Sequence, residues 1–109
     1  MSSTAPPAIV LVLTTLGADA DAAALARTLV EERLAACVNV LPVTSVYRWK
    51  GQVEQDREQQ LVIKTTAGRV AALETRLRAL HPYELPEFLV LPAGGGSAAY
   101  LLWVAESVT

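Results

Sequence analysis

The sequence predicts an α+β domain in which two strand–helix–strand halves share one antiparallel sheet. The aliphatic run at residues 8–15 is typical of a strand covered on both faces. Two later segments repeat apolar residues at helical spacing, and two long strand-like segments meet at Gly51, which indicates a hairpin. The order strand, helix, strand, strand, helix, strand is that of a ferredoxin-like βαββαβ sandwich, here with an extra C-terminal helix.

Size and composition indicate one domain over residues 1–109, with residues 1–7 as a flexible N-terminal tail. Hydrophobic residues make up 52% of the chain and charged residues only 18%, so we expect another copy to cover part of the apolar surface. The net charge of −2 indicates no nucleic-acid partner. No stretch reaches the roughly 20 apolar residues of a membrane span, and no leader peptide is predicted.

The first strand is followed by a helix whose start and end are both marked. Asp19 or Asp21 is a suitable N-cap, because a carboxylate accepts hydrogen bonds from the free amides of the first turn. Apolar residues recur at helical spacing over residues 22–30. Arg33 would fall on that apolar face, so the helix should end before it.

The hairpin is longer than usual and has two different halves. Pro42 requires its strand to lie at a sheet edge or to contain a bulge, because proline donates no hydrogen bond. On the return strand, residues 54–60 are polar and residues 61–63 apolar. The apolar half should join the core, whereas the polar half, paired with residues 44–49, should protrude from the domain. Another subunit is the expected cover for its exposed edges.

The second half of the chain repeats the helix–strand pattern. Residues 70–80 present one apolar face, and His81 and Pro82 end this helix. A short strand bounded by prolines follows within residues 84–92. Residues 98–108 predict the closing helix.

The densest group of residues suited to a binding site is the segment from His81 to Glu87. It combines the single histidine with Tyr83, Glu84 and Glu87, and imidazole and carboxylate together can bind Cu²⁺ or Zn²⁺. The alternative is structural, with His81 capping the preceding helix and Tyr83 packed on the sheet. A tight site would need further ligands from elsewhere in the chain or from another subunit.

Cys37 is the second candidate ligand. As a soft thiolate it would suit Cu(I) or act as a redox-sensitive thiol, but a strand cysteine is more often a small buried hydrophobe, and we expect burial. A lone thiol also fits a reducing compartment, which predicts a cytoplasmic protein.

A ligand cleft is the alternative to a metal site. Tyr47 and Trp49 share one strand face near the hairpin tip, where they would either stack on a ligand or anchor a subunit interface. Lys64 could face an anion or simply pair with Glu84 or Glu58, and Tyr83 completes the expected cleft. A Ser–His–Asp arrangement is not indicated, so we expect no catalysis. A hydrolase or isomerase that uses His81 and Glu84 is the remaining enzymatic alternative.

Taken together, several ordered segments resemble the CutA family of divalent-cation-tolerance proteins. The matching segments are residues 32–39, 44–51, 63–65, 81–87 and 100–103. The resemblance implies a ferredoxin-like subunit, a stable homotrimer joined through long hairpin strands, a relation in shape to PII signalling proteins, and a link to copper and other divalent ions.

The resemblance also implies that His81 is the residue of the His-Pro-Tyr turn that is associated with copper. This chain has Thr14 where some members carry cysteine, and Leu80 where some carry a second histidine, which reduces the ligand set.

These observations predict a trimeric cytoplasmic protein that binds or senses divalent ions, copper among them, without catalysis. Its expected metal-binding residues are His81, Glu84 and Cys37, and no cofactor is required. The alternatives are a PII-like sensor that holds a small anionic ligand between subunits and a purely structural scaffold.

Overall fold

A computed structural model describes residues 7–109 and contains one four-stranded sheet in the order β2-β3-β1-β4, with every neighbouring pair antiparallel. The elements are β1 (Ile9–Gly17), α1 (Ala22–Glu31), β2 (Cys37–Trp49), β3 (Gln52–Thr66), a 3-10 turn (Ala67–Arg69), α2 (Val70–Leu80), β4 (Leu89–Pro92) and α3 (Ala98–Ser107). The predicted ferredoxin-like fold with an extra helix is confirmed. Residues 1–6 of the predicted tail lie outside the described residues.

The main core lies between the sheet and the first two helices. Val12 and Ile63, from the two central strands, pack with Leu29 of α1 and Leu73 of α2, and all four are fully buried. A smaller cluster joins α3 to the opposite face of the sheet; its buried members are Ile9, Ala36, Val104, Ala105 and Val108. The first two helices cover one face of β1, and α3 covers the other face only near Ile9.

The limits of α1 follow the signals in the sequence. The side chain of Asp21 accepts a hydrogen bond from the Ala24 amide at 3.0 Å, which caps the helix. The helix ends at Glu31, and Arg33 has a positive φ of 58°, so the chain leaves the helical direction before the arginine would enter the core. Both predictions are confirmed, with Asp21 rather than Asp19 as the cap.

The hairpin protrudes as predicted. β3 pairs with β1 only as far as Glu58, opposite Gly17, whereas its pairing with β2 continues to Gln52, opposite Trp49. Residues 52–57 therefore have a neighbour on one side only, and the chain reaches 54 Å in its longest dimension. Pro42 lies in β2, the edge strand of the sheet, as its missing donor requires.

The sequence left the turn type of this hairpin open. Lys50 and Gly51 form a two-residue loop, with φ values of 51° and 82°. Positive φ at both loop residues is the requirement of a type I′ turn, whose twist matches that of the flanking strands. Lysine adopts this region at a cost that glycine does not bear.

The fourth strand is shorter than the predicted segment 84–92, since it begins only at Leu89. Pro82 and Pro86 have no amide hydrogen to donate to a ladder. The segment from His81 to Phe88 instead passes the end of β1 without pairing as a strand. The side chain of His81 contacts β1, and that of Glu87 contacts β3.

One face of the sheet is largely uncovered by this chain. Along each strand, the residues on this face alternate with the residues that point into the main core. The helix α3 covers only the end of this face near Ile9. The exposed or half-buried apolar residues on this open face are Leu11, Leu13, Leu41, Val43, Val62, Leu89 and Leu91.

Candidate functional site

A groove of about 960 Å³ lies between the hairpin and the segment from His81 to Glu87. It is lined on the hairpin side by Tyr47, Trp49 and Glu58, and on the other side by Tyr83, Glu84 and Glu87. The structure thus brings the predicted aromatic pair and the predicted acidic turn to one place. Its lining therefore includes three carboxylates and three aromatic rings, together with one positive charge from Arg48.

His81 is 9% exposed, and both of its ring nitrogens are engaged by the backbone. Nδ1 accepts a hydrogen bond from the Tyr83 amide at 3.1 Å, and Nε2 lies 2.6 Å from the carbonyl oxygen of Thr15. Because a carbonyl oxygen can only accept, Nε2 is the donor in this second bond. A metal ion could take either nitrogen only by displacing one of these bonds.

The position of Thr15 explains why an imidazole is needed there. On its β4 side, β1 has strand partners only from Val10 to Leu13. The carbonyl oxygen of Thr15 lies beyond the last pair, and a buried carbonyl without a donor is costly. His81 supplies that donor from the end of α2. The alternative, in which His81 caps α2, holds for its backbone rather than its ring: the His81 amide donates to the Leu77 carbonyl oxygen at 2.8 Å.

Tyr83 connects this turn to the hairpin. Its hydroxyl donates to Glu58 at 2.7 Å, and its ring meets the His81 ring edge-on with centroids 4.8 Å apart. Partial burial, and then the hydrogen bond and negative charge of Glu58, raise the pKa of Tyr83 well above its usual value. The phenol therefore stays protonated and holds the turn against β3.

Tyr47 makes a similar contact within the hairpin. Its hydroxyl donates a short hydrogen bond to Asp56, two residues beyond its cross-strand partner Glu54. The bond to Asp56 is the main reason that the pKa of Tyr47 is raised to about 12. Asp56 and Glu58, which alternate along β3, are thus each bonded to a tyrosine hydroxyl.

The remaining groove carboxylates differ in how they are held. Glu84 is 75% exposed in its side chain and lies 3.8 Å from Lys50 at the hairpin tip. Glu87 accepts a hydrogen bond from Gln60 Nε2 at 3.0 Å, and the same nitrogen donates to the Thr14 carbonyl oxygen at 2.7 Å. Sequence reasoning missed Gln60, because a glutamine in a polar strand carries no signal until its neighbours are known.

Cys37 and Lys64 lie elsewhere in the chain. They are cross-strand partners, Cys37 is half-buried rather than fully buried, and Lys64 Nζ sits 5.7 Å from the centre of the Tyr100 ring. Lys64 pairs with Leu11, four positions along β1 from Thr15, or about 13 Å. Within one chain, neither Cys37 nor Lys64 therefore shares a site with His81.

Across residues 7–109, no group of three or more histidine, cysteine, aspartate or glutamate side chains is placed to hold a metal ion. None of the helices in that range is long and apolar enough to cross a membrane.

Comparison with known proteins gives one consistent result. A family model described as CutA1 divalent ion tolerance protein matches residues 10–107. The divalent-cation tolerance protein CutA of Thermus thermophilus is 47% identical over 98 residues, which cover 89% of this chain and 95% of that protein.

Solved structures agree with the sequence match. A Cut A1 divalent cation tolerance protein from Thermus thermophilus superposes with a TM-score of 0.88 and 45% identity, over 93% of this chain and 99% of that one. A protein from Nostoc, described as PII-like protein CutA in apo form, superposes with a TM-score of 0.86 and 37% identity, over 92% and 97% of the two chains.

Two relatives carry a compartment in their names. The chloroplastic CutA protein of Arabidopsis thaliana is 42% identical over 107 residues, which cover 97% of this chain and 58% of that protein. A solved structure from Archaeoglobus fulgidus, 30% identical with a TM-score of 0.89 over 93% of this chain and 99% of that one, is described as a periplasmic CutA. The names of these relatives thus give two compartments, and the cytoplasmic location of this chain stays a prediction.

Proposed function

This chain belongs to the CutA1 family of divalent ion tolerance proteins, and on that premise we propose that it acts in divalent-cation tolerance as a homotrimer, without catalysing a reaction. The observation that carries the proposal is the open apolar face of the sheet. The names of its relatives describe tolerance of ions rather than a reaction. We propose the cytoplasm as its location, because its single thiol suits a reducing compartment.

The exposure of the apolar residues on the open face supports self-association. Leu89 is 56% and Leu91 42% exposed, and they lie beside Leu11 and Leu13 on a continuous apolar surface. Apolar patches of this kind mark interaction sites, because burying them yields about 25 cal/mol per Å². The protruding hairpin adds two strand edges beyond β1 that another copy can cover. That the assembly contains three subunits is proposed from the family resemblance.

Mass measurement in solution tests the assembly. Light scattering after size exclusion should give three times the 11.6 kDa chain mass. Leu91→Glu should reduce it to one chain, whereas Val30→Glu, a matched change at a position 41% exposed on α1, should leave the trimer intact. A wild-type monomer at micromolar concentration, or equal behaviour of the two variants, would contradict the proposal.

We further propose that ions bind along the groove through carboxylate oxygens, with Glu84 as the main contact and His81 as a positioning residue. Glu84 is exposed and held only by a 3.8 Å ion pair, so an ion can displace Lys50 at little cost. Glu58 and Glu87 line the same groove and each retain an oxygen beyond the one that accepts a hydrogen bond, but they do not form a three-residue cluster with Glu84, so we propose contacts along the groove rather than one chelating site. Such donors favour hard divalent ions over copper.

A titration with Cu²⁺, Zn²⁺ and Mn²⁺ in competition with a chelator tests the ion site. Glu84→Gln should weaken binding about tenfold, or about 1.4 kcal/mol, whereas His81→Ala and Cys37→Ser should leave the affinity within a factor of two or so. Loss of binding in a folded His81→Ala variant would instead make His81 a ligand. Loss in Cys37→Ser would point to the open face.

A second candidate function is a PII-like sensor that holds a small anionic ligand in the same groove. Tyr47 and Trp49 line it beside Arg48, so a flat anion would find both a stacking surface and a positive charge. Trp49 fluorescence in a Trp103→Phe background should respond to such a ligand during a screen of nucleotides and metabolites. An unchanged signal across the screen would count against this function.

A further inference from the structure

The C-terminal helix α3 is apolar on its outer side as well as on the side that packs against the sheet. Val104 and Ala105 are buried in the cluster beneath the helix, whereas Leu102 is 58% and Trp103 45% exposed on the outer side. A helix that is hydrophobic all round is normally buried, because a surface helix carries polar residues on its outer face. The outer side of α3 therefore lacks a cover in the single chain.

The uncovered part of the open face begins directly beside α3. The helix covers this face only at the end near Ile9, and Leu89 and Leu91 of β4 remain exposed next to Leu11 and Leu13. Packing a helix on the apolar face of a sheet is one of the standard ways to close a core. Each chain thus carries one apolar helix side and one apolar sheet face that have no partner within residues 7–109.

The charges on these two surfaces are opposite. Glu106 is the one charged residue of α3, and it is exposed. Lys64 is the one charged side chain that residues 37–43 of β2 and 60–66 of β3 place on the open face. Lys64 is half-buried beside the Tyr100 ring, and in the described part of the chain neither Lys64 nor Glu106 forms an ion pair. A half-buried ammonium group favours a carboxylate as its neighbour.

The spacing of the apolar and charged residues agrees on the two surfaces. Lys64 pairs with Leu11, which pairs with Leu91, so these residues form one row across three strands, about 10 Å from end to end. On α3, Glu106 lies one turn beyond Leu102, about 6 Å along the helix. Because lysine and glutamate are long side chains, a helix laid along this row can place Leu102 over Leu91 and Glu106 at Lys64.

We infer that α3 of one subunit docks on the open face of the next, with Leu102 and Trp103 against β4 and Glu106 paired with Lys64. The two surfaces differ, so the contact runs head to tail, and three such contacts close a ring. This arrangement rests on the proposed homotrimer and specifies which surfaces meet in it.

Charge reversal in the full chain tests the ion pair. Glu106→Lys and Lys64→Glu should each raise the concentration at which half of the trimer dissociates by about tenfold or more, because each brings like charges together. The double variant Lys64→Glu/Glu106→Lys should restore the wild-type value. Glu31→Lys, a matched reversal at an exposed position of α1, should have no effect. Light scattering across a dilution series measures all four variants.

A disulfide cross-link tests the direction of the contact. In a Cys37→Ser background, Leu91→Cys combined with Leu102→Cys should give a covalent trimer on a non-reducing gel after oxidation. Val30→Cys, on α1, in place of Leu102→Cys should give no covalent oligomer.

The outcomes separate this arrangement from the homotrimer itself. A wild-type trimer that shows no cross-link, or that tolerates both charge reversals, overturns the docking of α3 and leaves the homotrimer in place. Covalent dimers alone would show a two-fold contact and overturn the head-to-tail arrangement. A wild-type monomer would overturn both proposals.

Discussion

His81 Nε2 lies 2.6 Å from the carbonyl oxygen of Thr15, 66 positions earlier in the chain. This contact joins the end of α2 to the edge of β1 at the point where β4 no longer pairs with it. The histidine that sequence reasoning selected as a metal ligand therefore has a structural role in the isolated chain. It orients Tyr83, whose amide bonds to Nδ1, and thereby one wall of the groove.

Replacement of His81 tests this role. His81→Ala should lower the free energy of unfolding by about 1–3 kcal/mol, because it leaves the Thr15 carbonyl without its donor. Tyr83→Phe, which loses only the hydroxyl contact with Glu58, should cost about 1 kcal/mol or less. Denaturant unfolding at neutral pH measures both. If the two variants were equally stable, the bond to Thr15 would have no structural role.

The hairpin turn offers a stabilising substitution. Lys50 has a positive φ of 51°, a conformation that asparagine adopts at lower cost. Lys50→Asn should be more stable than Lys50→Gln by about 1 kcal/mol, since both remove the charge but only asparagine suits the turn. The comparison cancels the loss of the ion pair with Glu84. Thermal unfolding gives the difference, and equal stability would contradict the type I′ assignment.

The ion pair between Glu32 and Arg76 predicts a pH dependence. Two hydrogen bonds, of 2.9 and 2.8 Å, join these side chains, and the bond to Arg76 holds the pKa of Glu32 below its usual 4.5. The folded state therefore binds this proton more weakly than the unfolded state. The resulting stability is present above pH 4.5 and is lost as the pH falls through the lowered pKa.

Arg76→Ala removes this dependence. Its unfolding free energy should fall less steeply below pH 4.5 than that of the wild type. Arg27→Ala, which removes the same charge from α1, should keep the wild-type slope. Parallel curves for wild type and Arg76→Ala would exclude a contribution from the pair.

Tyr47 of the hairpin should lose its proton at a higher pH than an ordinary tyrosine. The pKa of Tyr47 is raised to about 12, chiefly by its hydrogen bond to Asp56. Because the folded state favours the protonated phenol, this contribution is complete below pH 10 and is lost as the pH rises toward 12. NMR of ring-labelled tyrosine should show the shift, and Asp56→Asn should move the titration back toward 10. An unchanged titration in that variant would contradict the assigned cause.

The fold could be predicted well because its signals are local. Pro42 indicated an edge strand or a bulge, Arg33 the end of α1, and the polar residues 54–60 the protruding part of the hairpin. Each depends on backbone chemistry or on the period of a strand or helix. The start of β4 was less predictable, because the path of residues 84–88 depends on contacts with distant strands.

The candidate site was predictable only in part. Sequence reasoning identified Tyr47, Trp49, Tyr83 and Glu84, which the structure brings to one groove. It also grouped Cys37 and Lys64 with them, although the register of β2 on β3 places that pair at the other end of the sheet. Spacing along the chain carries no information on such distances.

The sequence by itself determined the order of the elements and most of their limits, because these follow from periodicity and capping within a few residues. The family followed from the resemblance of several ordered segments. Only the tertiary structure decided the role of each candidate. The availability of His81, for example, depends on Thr15. Whether a polar atom is satisfied depends on partners far away in the chain, and these become neighbours only when the sheet forms.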